Sequence, residues 1–366
     1  MSSDKTIILD DRSGASLDDK CGMAFYANRF EAGRGIVSKV ENFHFRIGRE
    51  SHEDLATIAG WTDLRPEAIE EHIKTILDQL TPDDKLIEDK MEELYRRLGW
   101  IAAFALYVEP KWRAEWDTIQ VEHELILDRS PLWVPFTPDR VLQHKDSKAI
   151  VYKEFKSCKE AGYRWQQSWP FAVQLHIALA GLEEEMKIKP NYGQIVGLMK
   201  GREGSAGHLV HPYVWAYYSP IKDEWTHDYN RARGSEWRPE PVWNYPDGLV
   251  KWVQRLGEDI GMAQFPHSAP VFLNPKLLDE WVIRRKSRRL RLKASEGLSR
   301  QKPEFRAIMF EKRTDQCRPA FGEQCPYLMY CWNAEVNRDP LGSGHYVPRV
   351  PHHEVEILMN REEDSK

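Results

Sequence analysis

The stretch that decides the fold runs Phe136-Thr137-Pro138-Asp139-Arg140-Val141-Leu142, passes through a polar turn, and returns as Ala149-Ile150-Val151-Tyr152-Lys153-Glu154-Phe155-Lys156. Both arms read as short strands, in which side chains repeat every second residue. A two-residue turn centred on Asp146 and Ser147 makes them an antiparallel hairpin and sets Asp139 directly opposite Glu154. Glu154 and Lys156 then share a face. Like charges opposed across a sheet are unfavourable, and a divalent cation between the two carboxylates would remove that penalty. The same residues also fit an ordinary solvated hairpin, and a motif this short needs support from elsewhere in the chain.

The chain has 366 residues, enough for one large domain or two. A net charge of −5 carries no global basicity that would advertise nucleic acid. No apolar run is long enough to span a bilayer, and Met1-Ser2-Ser3-Asp4-Lys5 lacks the charged-then-apolar pattern of a signal peptide. The expectation is a soluble, intracellular, cytoplasmic protein with no membrane partner. Five cysteines, Cys21, Cys158, Cys317, Cys325 and Cys331, are an odd and unevenly placed set. In an intracellular chain that argues against a disulfide framework.

Residues 1–20 read as polar and irregular, and Cys21 to Phe30 opens a helix. Helical spacing of apolar residues carries Phe45 to Ile58, including His52, and Pro66 to Val108 is strongly helical. Ile119 to Leu127 reads as a strand before the hairpin, Trp169 to Met186 as an apolar helix, and Gly193 to Met199 as a further strand. From Ser219 to Gln301 aromatic and basic residues interleave: Trp225, Tyr229, Trp237 and Trp252 lie among Arg231, Arg233, Arg238 and Arg255. This pattern suits either stacking on unpaired bases or an aromatic core beside a solvated helix end. Arg284 to Lys293 holds seven basic residues in ten and reads as a phosphate-binding face.

The hairpin resembles the PD-(D/E)XK nuclease superfamily, whose motif would stand here as Asp139, then Glu154-Phe155-Lys156. His52, in Gly48-x-x-x-His52-Glu53, resembles the upstream histidine of RecB-type nucleases. Gln174, in Val173-Gln174-Leu175, resembles the glutamine on the helix after the catalytic lysine, and Gly193 to Gly201 the strand that follows it. Cys21 ahead of this core, with Cys317, Cys325 and Cys331 behind it, resembles the iron–sulfur staple of RecB/AddB-like and CRISPR-associated RecB-like exonucleases. The likeness covers residues 15–60, 119–201 and 313–332. Departures are Ala178, where an aromatic is expected four residues after the glutamine, the long gap from Cys317 to Cys325, and Glu154 where this branch often has Asp.

The resemblance implies an α/β fold: a restriction-endonuclease-like mixed sheet flanked by helices, with a helical insertion and a C-terminal iron–sulfur staple. It divides the chain into an N-terminal segment 1–60 with Cys21 and His52, a helical insertion 61–110, a nuclease core 111–210, an aromatic and basic elaboration 211–312, and a cysteine segment and tail 313–366. It implies a metal-dependent deoxyribonuclease, an exonuclease on single strands or DNA ends in recombination, repair or replication. Asp139, Glu154, Lys156 and Gln174 would be catalytic. His52, Asp139 and Glu154 would ligate the metal, Mg²⁺ or Mn²⁺, since an imidazole among carboxylates leans toward manganese. Lys156 would orient or deprotonate the attacking water, or stabilise the oxyanion. His52 alone also fits a helix-face histidine with a local partner, and Gln174 an internal network. Four cysteines hold either a [4Fe–4S] cluster or zinc; the resemblance tips the choice to iron–sulfur, in a structural role. Cys158 is the spare, an inert thiol. Two other classes stay open: a non-catalytic DNA-binding recombination scaffold, and a zinc-stapled interaction module.

Overall fold

The computed structural model describes residues 8–10, 19–33, 35–39, 43–80, 88–158, 161–201, 211–234, 236–302, 305–313, 315, 317, 325–351, 353, 356 and 357. Residues 81–87 and most of the N-terminal segment 1–20 lie outside the described residues. In chain order the elements are β1 (Ile8–Leu9), α1 (Gly22–Arg29), β2 (Ile36–Ser38), α2 (Phe43–Gly60), α3 (Pro66–Asp78) and α4 (Glu88–Ala103). A π-helical stretch, Phe104–Val108, leads into α5 (Glu109–Glu115). The strands β3 (Trp116–Val121), β4 (Leu125–Arg129), β5 (Leu132–Phe136), β6 (Arg140–His144) and β7 (Ile150–Cys158) come next. They are followed by α6 (Tyr163–Ser168), α7 (Val173–Glu185), β8 (Tyr192–Met199), β9 (Trp215–Ser219), β10 (Glu224–Thr226) and β11 (Arg238–Pro241). The chain continues with α8 (Leu249–Leu256), α9 (Glu258–Ala263), α10 (Pro275–Gln301), α11 (Arg306–Met309), α12 (Leu328–Trp332), α13 (Ala334–Arg338) and β12 (Tyr346–Pro348).

This is a mixed α/β protein with several small sheets. The largest described has the order β3-β6-β7-β8: β3, β6 and β7 are antiparallel to one another in turn, and β8 runs parallel to β7. A parallel pair needs a crossover, and α7 supplies it. Leu175, Ala178, Leu179 and Leu182 of α7 pack in one cluster with Val141, Tyr152 and Ile195 of the sheet. The opposite face carries Leu142, Phe155 and Val196 into a second cluster with α2, α3, α4 and α8. A third sheet layer, β1-β5-β4, lies beyond α7. Gly181 permits that approach: a Cβ there would stand 2.2 Å from the Phe136 ring. Among the described residues, no helix is long and apolar enough to cross a membrane.

Three expectations need correction. Ile119 to Leu127 is not one strand: β3 ends at Val121, Glu122 has φ 41°, and β4 begins at Leu125 in a different sheet. The apolar helix begins at Val173, after a 3-10 turn at Trp169–Phe171. The hairpin turn is longer than two residues. The His144 carbonyl accepts the Lys148 N–H at 3.0 Å, Lys148 takes φ 58°, and the His144 Nδ1 accepts the N–H groups of Asp146 and Ser147. The register nonetheless matches expectation, because Arg140 pairs with Lys153 and Gln143 with Ile150.

One buried ion pair fixes this hairpin to the helices. Arg140, 2% exposed, reaches Glu109, 0% exposed, with Nη1 at 2.5 Å and Nη2 at 2.9 Å. Arg113 also donates to Glu109, at 2.6 Å, and Arg140 donates to the Thr118 hydroxyl of β3. Removing one partner of such a pair strands the other charge in low dielectric. Glu109→Ala is therefore expected to destabilise by about 3–5 kcal/mol, read from the denaturant midpoint. A loss below about 1 kcal/mol, as exposed pairs give, would refute this role.

Candidate metal centre

His52 projects from α2, whose Ile47, Leu55 and Ile58 are buried in helical spacing. Asp54, one turn from them, receives Arg97 of α4 at 2.6 and 3.0 Å, which fixes the roll of the helix. His52 is thereby held against the start of β6, where its Nδ1 lies 3.1 Å from Asp139 Oδ1. The other Asp139 oxygen accepts the Phe155 backbone N–H at 2.5 Å. A carboxylate fixed at both oxygens cannot swing to solvent. Asp139 and Phe155 come from the two arms of the hairpin, so the register itself aims the carboxylate.

His52, Asp139 and Glu122 each offer a ligand atom, all within 4.8 Å of one another. Among the described residues they are the only such group of three His, Cys, Asp or Glu side chains. Glu122 was not expected. Reading residues 119–127 as one strand hid it; the acidic break Glu122-His123-Glu124 was the available signal. The β3–β6 register, which pairs Val121 with Arg140, carries Glu122 beside Asp139, and its N–H donates to the Pro138 carbonyl at 3.1 Å.

Glu154 and Lys156 share the other expected face of β7 and pair with each other. The Tyr152 hydroxyl, two residues back on the same face, donates to Glu154. Glu154 is thus adjacent to the His52 group without belonging to it; its charge acts on both His52 and Glu122. Gln174 sits in the first turn of α7, and its buried Nε2 has no hydrogen-bond partner. Among the described residues it is an orphan donor, which is costly when buried. Cys158 closes β7 as a buried thiol that burial pushes up to about 11, which makes it unreactive.

Charge at the centre is delicately placed. Burial alone would push the His52 imidazole down, but the Asp139 carboxylate, by charge and hydrogen bond, holds it above its ordinary value. Burial likewise opposes ionisation of Asp139, and His52 outweighs it, with Lys156 and the Phe155 N–H helping. Glu122 is exposed as a residue, yet its carboxyl is hemmed in; that desolvation, then the Asp139 charge, pushes it up to about 7. An imidazole and two carboxylates form a donor set that fits Mn²⁺ or Mg²⁺.

Cys21, at the start of α1, packs in one apolar cluster with Cys325 and Cys331. The Cys317 carbonyl accepts the Cys325 N–H at 3.1 Å. Burial pushes the Cys331 thiol up to about 12, so it ionises only with a strong cationic partner. No three of these sulfurs come within 4.8 Å of one another. Tetrahedral zinc with Zn–S of about 2.3 Å would hold them roughly 3.8 Å apart. The four thiols are near enough to act on one another electrostatically, but among the described residues they form no ligand group.

The structure decides between the two readings of the aromatic region. Trp225, Trp237 and Trp252 are buried, and Trp252 donates its Nε1–H to the Pro212 carbonyl at 2.7 Å. Freeing such a tryptophan to stack on a base would gain roughly 1–3 kcal/mol and forfeit about 3–5 kcal/mol of packing. They are core. Tyr229 stays exposed, with Arg233 over its ring. No protein-family model matches the chain, and no curated protein is significantly similar to it.

The raised Glu122 gives a test of the centre. Its folded value, about 7, lies above the ordinary 4.5, so the folded state holds the proton longer. The metal-free protein then loses stability as pH rises through that window. In EDTA at pH 8, Glu122→Gln is expected to melt higher than wild type, and the gap to close as the pH falls toward 5. With Mn²⁺ the order should reverse, because the variant lacks a ligand. A variant that melts lower in EDTA at pH 8 would contradict the arrangement.

Proposed function

We propose that the chain is a metal-dependent DNA nuclease of PD-(D/E)XK type, RecB/AddB-like, hydrolysing phosphodiester bonds with a preference for ends or single strands. One observation carries the reading. His52 and Asp139 lie 87 residues apart in sequence and meet at 3.1 Å, one hairpin strand away from Glu154 and Lys156. The mixed sheet, with β7 and β8 parallel and helices on both faces, supports a restriction-endonuclease-like core.

His52, Asp139 and Glu154, with Glu122 added, would hold the cation. Such an ion polarises phosphate and lowers the pKa of its water. The protein's own contribution is positional. The Phe155 N–H keeps Asp139 aimed, Arg97 keeps His52 over it, and Tyr152 fixes Glu154. Lys156 brings a cation to the charge that develops on the phosphate, or takes the water's proton. His52 must be neutral to act as a ligand. Because Asp139 holds its proton on, cation affinity and cleavage rise with pH through the histidine range.

Cys21, Cys317, Cys325 and Cys331 would hold a [4Fe–4S] cluster, with zinc as the alternative. That group would act as a staple, since its ligands are remote from the hairpin. Recombination, repair or replication is the setting such a nuclease serves. One observation favours a non-catalytic DNA-binding scaffold instead: Glu154 is engaged by Lys156 and Tyr152 and stands outside the three-ligand group.

Cleavage decides between them. With Mn²⁺ and end-labelled DNA, Lys156→Ala and Glu154→Ala should each lose at least about 100-fold in rate, the lower range for removing a general acid–base or electrostatic group, with thermal midpoints near wild type. Wild-type rates in either variant, or an inactive parent that still binds DNA, would favour the scaffold. For the cysteines, anaerobically purified protein should be brown with about four irons per chain, as a Cys₄ cubane carries. Cys325→Ser should lose the colour. Stoichiometric zinc without iron would replace the cluster and leave the cleavage test untouched.

A further inference from the structure

A cavity of about 350 Å³ opens beside α10, away from the metal centre. Trp281, Arg284, Arg285, Arg288 and Arg291 line it from the helix. Spacings of three and four residues place them on one helical face. The opposite wall is the start of α1 at Gly22 and the segment carrying Arg313. Five guanidinium groups therefore face two carboxylates, Asp19 and Glu311, which also line the cavity.

The floor is rigid and the rim is available. Arg285 is 2% exposed and clamped by Asp10 at 2.7 and 3.0 Å, while its Nη1 lies 3.5 Å from Asp19. Its charge is largely neutralised there. Arg284 and Arg291 are exposed, and neither has a hydrogen-bond or ion-pair partner among the described residues. Among the described residues Arg313 has only a 3.5 Å exposed pairing with Asp315, which is weak. Planar guanidinium forks match the oxygens of phosphate. Unneutralised arginines converging on a concave site are an arrangement that a polyanion would relieve.

We propose that this cavity seats backbone phosphates of a nucleic-acid strand, as an anchoring site separate from the metal centre. The proposal rests on the nuclease reading and names where its substrate is held. α7 stands between the two sites. Its Leu175, Ala178 and Leu179 face the four-stranded sheet, and its Ile177 and Ala180 pack with Leu278 and Trp281 of α10. A strand held on α10 would have to pass the end of α7, where Gln174 keeps its unpaired amide, to reach His52 and Asp139.

The test uses the full-length protein in EDTA, so that the metal centre does not contribute. Binding of a fluorescent oligothymidylate is followed across a salt series for wild type, for Arg284→Gln/Arg291→Gln, and for Lys251→Gln/Lys276→Gln as a control of equal charge change outside the cavity. The cavity variant should flatten the log–log salt slope by about 1.4, roughly 0.7 for each single-strand phosphate contact. The control should keep the wild-type slope, and both variants the wild-type melting midpoint. Inorganic pyrophosphate should compete poorly against the oligonucleotide. An unchanged slope in the cavity variant, an equal loss in the control, or displacement by pyrophosphate at matched phosphate concentration would each overturn the proposal. Cleavage with Mn²⁺ is read separately. A flattened slope in a protein that never cuts DNA would keep this site and sink the nuclease reading, and normal cleavage with an unchanged slope would do the opposite.

Discussion

Glu109 and Arg140 meet where almost no water reaches, and the position of the candidate centre depends on that meeting. Arg140 stands directly opposite Lys153 in the hairpin, a like-charge pairing that a sheet ordinarily avoids. Glu109 answers one of these charges. Trp112 answers both, with Arg140 5.2 Å and Lys153 5.5 Å from its ring centre. Burial pushes Lys153 down to about 8, and its ammonium is taken up by Gln194. Continued one step, that register would set Asp139 against Glu154 on the other face, where Asp139 holds the Phe155 N–H. The hairpin thus carries two like-charge pairs back to back. Glu109, Trp112 and Gln194 answer the cationic one, and His52, Lys156 and Tyr152 the anionic one.

The same alternation separates two neighbouring lysines. Lys153 and Lys156 lie three residues apart and therefore on opposite faces. Only Lys156 shares a face with Glu154, and only Lys153 is pressed into the aromatic side of the core. A sequence pattern that counts lysines near an acid cannot tell them apart; a strand register can.

That register was the most legible part of the chain. Period-two alternation and the hairpin register follow from side-chain geometry, and the pairing of Arg140 with Lys153 keeps that register across a turn whose details differ because Lys148 adopts a positive φ. The histidine on its helix was legible for the same reason, since apolar spacing around Ile47, Leu55 and Ile58 leaves His52 at the edge of the buried face. Glu122 was not legible. Its part depends on a strand break and on the register of β3 against β6, and both are tertiary facts. Nor could composition tell that Trp225, Trp237 and Trp252 are core, because aromatic residues interleaved with arginine look alike whether the rings point inward or outward. Cys21 was expected to join Cys317, Cys325 and Cys331; it shares an apolar cluster with Cys325 and Cys331, and the four form no ligand group among the described residues. The wider separation of the sulfurs needed coordinates.

The closure of those ends has a consequence in time. Asn28 donates to the Tyr327 hydroxyl across 299 residues at 2.7 Å, Tyr327 donates in turn to the Ile36 carbonyl, and β12 pairs with β2. Phe25 and Tyr26 have their lasting neighbours, Phe310 and Tyr330, about 300 residues later in the chain. At about 5–20 residues per second, synthesis leaves that surface uncovered for roughly 15–60 s. During the interval the nascent N-terminal segment is a hydrophobic face without a lid, open to chaperones and to neighbouring chains on the same message.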